Sequence, residues 1–168
     1  MLKGVSNVEA GYAGGSTRST SSGQVAPTYE DVSRGSTGHA EVIRVTYDPA
    51  VISYEDLLTV FFGSHDPTTT NRQGADVGEQ YRSVIFYRGD EEKRLAESKV
   101  KEVNESLKDS TRIVTQLVPL ESFYMAEDYH QQYYEKNKSA PYCMLVVEPK
   151  IEKVRKRFAE LLNDDATK

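Results

Sequence analysis

A single cysteine, Cys143, stands among 168 residues, so no disulfide can close within the chain. A lone thiol of this kind fits a reducing compartment, and a cytoplasmic setting is expected. Tryptophan is missing altogether. No apolar run approaches the roughly 20 residues that cross a bilayer, and the start carries no charged-then-apolar leader. No membrane partner is therefore expected. Positive charge is scarce: 21 Lys and Arg against 26 Asp and Glu leave a net charge of −5. That balance argues against a nucleic-acid partner, because phosphate binding needs a basic surface. The basic stretch 150–157 is a local exception. Ile151, Val154 and Phe158 are spaced along it as one apolar stripe, so it reads as a solvated helical face rather than an anion patch.

Histidine is sparse too, with three in the chain. Each has a carboxylate nearby: His39 with Glu41, His65 with Asp66, His130 with Asp128. No helix-spaced histidine pair or His-Glu-x-x-His motif occurs, so a metal site is not expected. His39 and Glu41, two apart on an expected strand, would share one face. The ordinary role for these histidines is to hold loops by hydrogen bonds. A metal-dependent hydrolase built on all three is the competing reading.

What is present suffices for one domain over 1–168, with 38% apolar residues to build a core. Residues 5–12 read as a strand ending at the Gly14-Gly15 turn, and 16–26 as a polar loop. Residues 27–33 return toward order. Residues 39–47 alternate apolar and polar with β-branched side chains, a strand, and Asp48-Pro49 turns the chain. Ser53 and Asp56 have the spacing of a capping box, before a helix carrying Leu57, Leu58, Phe61 and Phe62 and ending near Gly63. Pro67 bars its continuation. A buried strand at 83–87, a charged helix over 91–108 with Leu95 and Val103 inward, and a strand at 111–118 follow. An aromatic-rich helix over 125–136 and a C-terminal helix over 149–162 complete the reading. No internal repeat is visible. Mixed strands and helices with hairpin-like neighbours favour α+β.

The stretch 71–82, NRQGADVGEQYR, packs an amide, carboxylates, a phenol and two glycines between a helix and a strand, with scarcely an apolar residue. Loops that dense in polar groups usually mark a site. Tyrosine is abundant, eleven against five phenylalanines. Tyr12, Tyr29 and Tyr81 lie beside glycine, proline or polar loops, where a phenol can offer one directed hydrogen bond from an apolar body.

Six blocks, GYAGG at 11–15, PTYEDV at 27–32, TGHAE at 37–41, HDPT at 65–68, the stretch 71–82 and AEDYHQQY at 126–133, together resemble peptide methionine sulfoxide reductase A. The resemblance implies a two-layer α/β plait of ferredoxin type with a central mixed or antiparallel sheet. It implies reduction of the S epimer of methionine sulfoxide, free or in oxidised proteins, without a bound cofactor. In such enzymes a cysteine thiolate attacks the sulfoxide sulfur, methionine leaves and a sulfenic acid remains. A second thiol condenses with it, and thioredoxin, or dithiothreitol in the tube, reduces the disulfide. Carried onto this chain, Tyr12 and Tyr81 would bind the sulfoxide oxygen, Asp31 would be the general acid, Asp76 would organise the site, and His130 would line the substrate pocket.

One departure stands out. The family's nucleophile lies in a Gly-Cys-Phe-Trp motif after its first strand, and these 168 residues contain no such motif. Residues 3–5 read as the exit from that helix, so the first strand and helix are expected to be missing. The chain alone is then expected to be inactive and only marginally stable. A binding relative that recognises methionine sulfoxide without turning it over is the other reading. For Cys143 two roles stay open: a resolving thiol, or a small buried residue in the strand-like CMLVV.

Overall fold

The computed structural model describes residues 2–16, 18–20, 23–108 and 110–163. In chain order the strands and helices are β1 (Val5–Ala13), β2 (Arg18–Thr20), β3 (Gly23–Val25), α1 (Tyr29–Ser33), β4 (Ala40–Tyr47), α2 (Tyr54–Ser64), β5 (Arg72–Gln73), β6 (Asp76–Val77), β7 (Val84–Tyr87), α3 (Asp90–Ser106), β8 (Gln116–Pro119), β9 (Phe123–Met125), α4 (Tyr133–Lys136) and α5 (Glu148–Arg157). The mixture is α+β.

β1 is the central strand of one sheet. It pairs antiparallel with β4 from Val5 opposite Tyr47 to Ala13 opposite Ala40, and with β9 on its other side. Gly11 is required there: a Cβ would lie 2.3 Å from the Phe123 ring that covers it. β7 and β8 form a separate parallel pair, with Val84 opposite Gln116, joined by the crossover helix α3. Leu58 and Phe62 of α2 pack with Ile85 and Ala96 as one buried cluster. Tyr12, Val32 and Ala126 form a second, against β1.

Both long helices follow sequence-readable rules. Ser53 accepts from the Asp56 N–H at 3.0 Å while Asp56 takes the Ser53 N–H at 3.2 Å, a reciprocal cap on α2. On α3 the inward residue is Ala96, fully buried, with Val100 and Val103 beside it, while Leu95 is half-buried.

Several expectations give way. Residues 125–136 do not form one helix: β9 ends at Met125, turns follow, and only α4 is helical. The reason is that the Gln131 amide brackets β1, accepting the Ala10 N–H at 2.9 Å and donating to the Ala10 carbonyl at 2.9 Å, which holds the segment against the strand. The expected strand at 111–118 shortens to β8. The C-terminal helix stops at Arg157, and Leu162 instead bridges Leu2. The CMLVV stretch is a wide helical turn leading into α5 rather than a strand. The polar loop 16–26 holds the β2–β3 hairpin, while its residues 17, 21 and 22 lie outside the described residues.

Candidate active site

The antiparallel register puts Tyr12 directly across from Glu41. Tyr12 is 2% exposed and its hydroxyl donates to Glu127 Oε2 at 2.8 Å. Burial, then that carboxylate, pushes the phenol far above its ordinary value. The other oxygen of Glu127 accepts the Tyr29 N–H at 2.8 Å. Burial works to raise the Glu127 carboxyl, but backbone donors and the Tyr12 hydroxyl outweigh it and hold it below the usual carboxylate range. Glu127 thus ties β1 to the start of α1.

A cavity of about 810 Å³ opens beside this clamp. Glu41, Asp76 and Tyr81, close enough to act on one another electrostatically, make its polar end, and its lining also includes His130, Leu57 and Phe61. Glu41 keeps access to solvent, yet neighbouring atoms crowd its carboxyl. That desolvation, with the Asp76 charge added, raises its pKa. A carboxyl that holds its proton to higher pH is better placed to donate it. Asp76 comes from the tight β5–β6 hairpin, where Arg72 pairs with Val77. A single 3-10 turn over Glu79–Tyr81 then swings Tyr81 toward the same place. Burial, with Glu41, Tyr29 and Asp76 following, raises the Tyr81 phenol and keeps its proton available, while a side-chain hydrogen bond from Gln80 opposes the rise.

The expected residues divide. Asp76, Tyr81 and His130 border the cavity together. Tyr12 borders it as well, but its proton is committed to Glu127. Asp31 does not border it. Its Oδ2 accepts the Thr28 N–H at 3.2 Å and the Thr28 hydroxyl at 3.0 Å, in the capping box of α1. A carboxyl in that position caps the helix N-terminus. Sequence reasoning gave no role to Glu41 or Glu127; the cross-strand pairing of Tyr12 with Glu41 is the signal that points to the first. The ring of His130 lies 4.8 Å from that of Tyr29 and 4.3 Å from that of Tyr129, and its Nε2 is buried with no hydrogen-bond partner among the described residues. Cys143 is fully buried. The neighbouring Tyr142 has its phenol raised by burial and then by Asp76, Cys143, Tyr133 and Glu41, which sets this turn beside the polar end.

His39 and Glu41 part company, because β4 begins only at Ala40. His39 is 2% exposed, edge-on to Tyr124 at 5.8 Å, and neither ring nitrogen has a partner among the described residues. His65 donates from Nδ1 to the Phe61 carbonyl at 2.7 Å and meets the Ser83 hydroxyl through Nε2 at 2.8 Å. Among the described residues no three His, Cys, Asp or Glu side chains gather to hold a metal ion, and no helix is long and apolar enough to cross a membrane.

The family model of peptide methionine sulfoxide reductase matches residues 1–162. The chain belongs to the peptide methionine sulfoxide reductase family. It is 50% identical over 159 residues to the peptide methionine sulfoxide reductase MsrA of Sulfolobus acidocaldarius, covering 95% of this chain and 85% of that one. With the enzyme of the same name from Acinetobacter baumannii strain SDF, identity is 47% over 164 residues, covering 98% and 88%. Among solved structures, reduced Mxr1 from Saccharomyces cerevisiae superposes with a TM-score of 0.76 at 36% identity, over 83% of this chain and 76% of that one. Methionine sulfoxide reductase A of Corynebacterium diphtheriae gives 0.73 at 35% identity, over 82% and 66%. Family membership makes this a methionine sulfoxide reductase fold, and the polar end of the cavity is its candidate active site.

Proposed function

We propose that the polar end of the cavity receives the S=O group of the S epimer of methionine sulfoxide, carried by an oxidised protein or as the free amino acid. The observation that carries this reading is the meeting of a carboxyl with a raised pKa, Glu41, and a phenol that keeps its proton, Tyr81, at the mouth of one cavity. A sulfoxide oxygen accepts hydrogen bonds and has none to donate, so its pocket must supply protons. When a thiolate attacks the sulfur, negative charge builds on that oxygen. Tyr81 donates to it and Glu41 delivers the proton, with Asp76 keeping the Glu41 proton in place by repulsion. In this reading the acid role passes from Asp31 to Glu41. Tyr12 acts through Glu127, and His130 lines the substrate side.

The attacking thiol is not Cys143, which is fully buried. The 168-residue chain therefore binds the sulfoxide without reducing it. Turnover by enzymes of this family draws on an external dithiol, thioredoxin in the cytoplasm or dithiothreitol in the tube, and the sheet of this chain belongs to a two-layer plait. The test is an NMR titration of the labelled chain with each epimer. The S epimer is expected to shift Glu41, Asp76 and Tyr81 resonances, and the R epimer to leave them. Equal response to both, or none, overturns the reading. Methionine release from the chain with dithiothreitol, abolished by Cys143→Ser, overturns the assignment of the thiol.

A further inference from the structure

Glu41 and Tyr81 meet at the polar end from different parts of the fold. Glu41 lies on β4, while Tyr81 closes the 3-10 turn that leads into β7. β4 and β7 belong to separate sheets, so pairing among the described strands does not fix one residue against the other.

Arg82, the residue after Tyr81, spans that division. Its Nη1 donates to the Glu79 carbonyl at 3.0 Å, and its backbone N–H reaches the same oxygen at 3.1 Å, which closes the turn carrying Tyr81. Its Nη2 donates to the Gly38 carbonyl at 3.0 Å, in the loop that leads into β4 and Glu41. Its Nε donates to Gln116 Oε1 at 3.2 Å, at the start of β8. Gly14 leaves room for the group, since a Cβ there would lie 3.3 Å from Nη2. On the other flank of Tyr81, the buried Gln80 donates from Nε2 to the Ser33 carbonyl at 3.2 Å, at the end of α1.

All the acceptors of the Arg82 side chain are neutral. The guanidinium is half-buried, and desolvation lowers its pKa, with the Glu79 charge opposing the fall. A cation withdrawn from water to serve by charge would sit on a carboxylate. This one spends its donors on two carbonyls and an amide, and what it adds is the fixed direction of a planar fork. We propose that Arg82 is a positioning residue, whose guanidinium ties the turn of Tyr81 to the loop before β4 and so sets the Tyr81 hydroxyl against the Glu41 carboxyl. It acts through Tyr81. Its bearing on catalysis rests on the proposed sulfoxide site; the placement itself does not.

Arg82→Lys keeps the positive charge and loses the fork. The test follows the Tyr81 Cζ signal by NMR through the Glu41 ionisation. The Glu41 charge acts on this phenol, so the signal of the parent chain is expected to carry a Glu41 inflection that Glu41→Gln abolishes. In Arg82→Lys the inflection is expected to shrink by roughly half or more, and the Kd for S-methionine sulfoxide to rise roughly tenfold. Gly63→Ala, which crowds the Phe158 ring, controls for a general loss of stability and should keep both at parental values. In the parent chain, nuclear Overhauser contacts are expected from the guanidinium to Gly14 and Gly38. A parental inflection in Arg82→Lys overturns the proposal, and so does an equal loss in Gly63→Ala. Absence of the guanidinium contacts in the parent chain overturns it even if the variant does not fold. An unchanged Kd in a variant that has lost the inflection removes Arg82 from the chemistry. If the parent chain binds neither epimer, the sulfoxide reading falls, and the inflection alone decides what places Tyr81.

Discussion

The Tyr12 hydroxyl and the Glu127 carboxylate are joined by a 2.8 Å hydrogen bond that links β1 to the segment after β9. The other Glu127 oxygen holds the backbone of Tyr29, so the pair fixes the start of α1 next to the cavity. Removing one partner strands the other, which is worse than removing both. Tyr12→Phe is therefore expected to lower stability by about 1–3 kcal/mol, as expected for a lost bond to a charged group. Urea denaturation reads it as a lower midpoint at unchanged slope. An unchanged midpoint would mean that the bond does not hold in solution.

How much of this was legible in the sequence depends on how local each signal is. The Ser53 and Asp56 pair and the apolar spacing behind it are local, and α2 stands where they put it. The same code is written at Thr28 and Asp31, but the helix it opens is five residues long, too short to show a period. Without the helix in view the cap at Asp31 goes unread, and the acid role given to it in the sequence rests on the resemblance alone. Glu41 was hidden for the opposite reason. It meets Tyr12 because β1 and β4 pair in one register, and no spacing within 37–41 contains that register. The segment after β9 misleads because a side chain, Gln131, takes the place of a strand's backbone.

Glu41 sets a pH dependence with a definite sign. Its carboxyl is raised above the usual value by desolvation and Asp76, so the folded state holds that proton to higher pH than the unfolded chain does. Its ionisation thus weakens the fold as pH rises through the raised value. Binding of S-methionine sulfoxide follows the same proton and is expected to weaken over the same interval. Glu41→Gln keeps a neutral donor and removes the charge beside Asp76, so it should flatten the binding profile, measured by NMR titration at several pH values. A profile as steep in the variant as in the parent would assign the dependence to another group.

The buried His39 and the half-buried His65 act at the acid end. Burial lowers the pKa of both His39 and His65 from 6.5. Above that value both are neutral, folded or unfolded, and their contribution to stability is constant. As pH falls below it the unfolded chain takes up protons that the folded chain resists, and stability is lost. Urea midpoints are expected to decline from pH 6.5 downward. His39→Phe, which keeps a ring next to Tyr124, should make that decline shallower. An equal decline in the variant would remove His39 from the account.

The contact of α2 with the end of α5 offers a test with opposite signs in two backgrounds. A Cβ on Gly63 would lie 2.4 Å from the Phe158 ring, which is 4% exposed. A ring so enclosed cannot swing aside freely. Alanine is the better helix former by about 1 kcal/mol, yet overpacking a closed contact costs about 1–3 kcal/mol, so Gly63→Ala is expected to destabilise the chain. With Phe158→Ala already present the obstacle is gone, and the same change should become neutral or stabilising. A double-mutant cycle in urea measures the difference. Gly63→Ala that stabilises the parent chain would show that Phe158 does not press on α2.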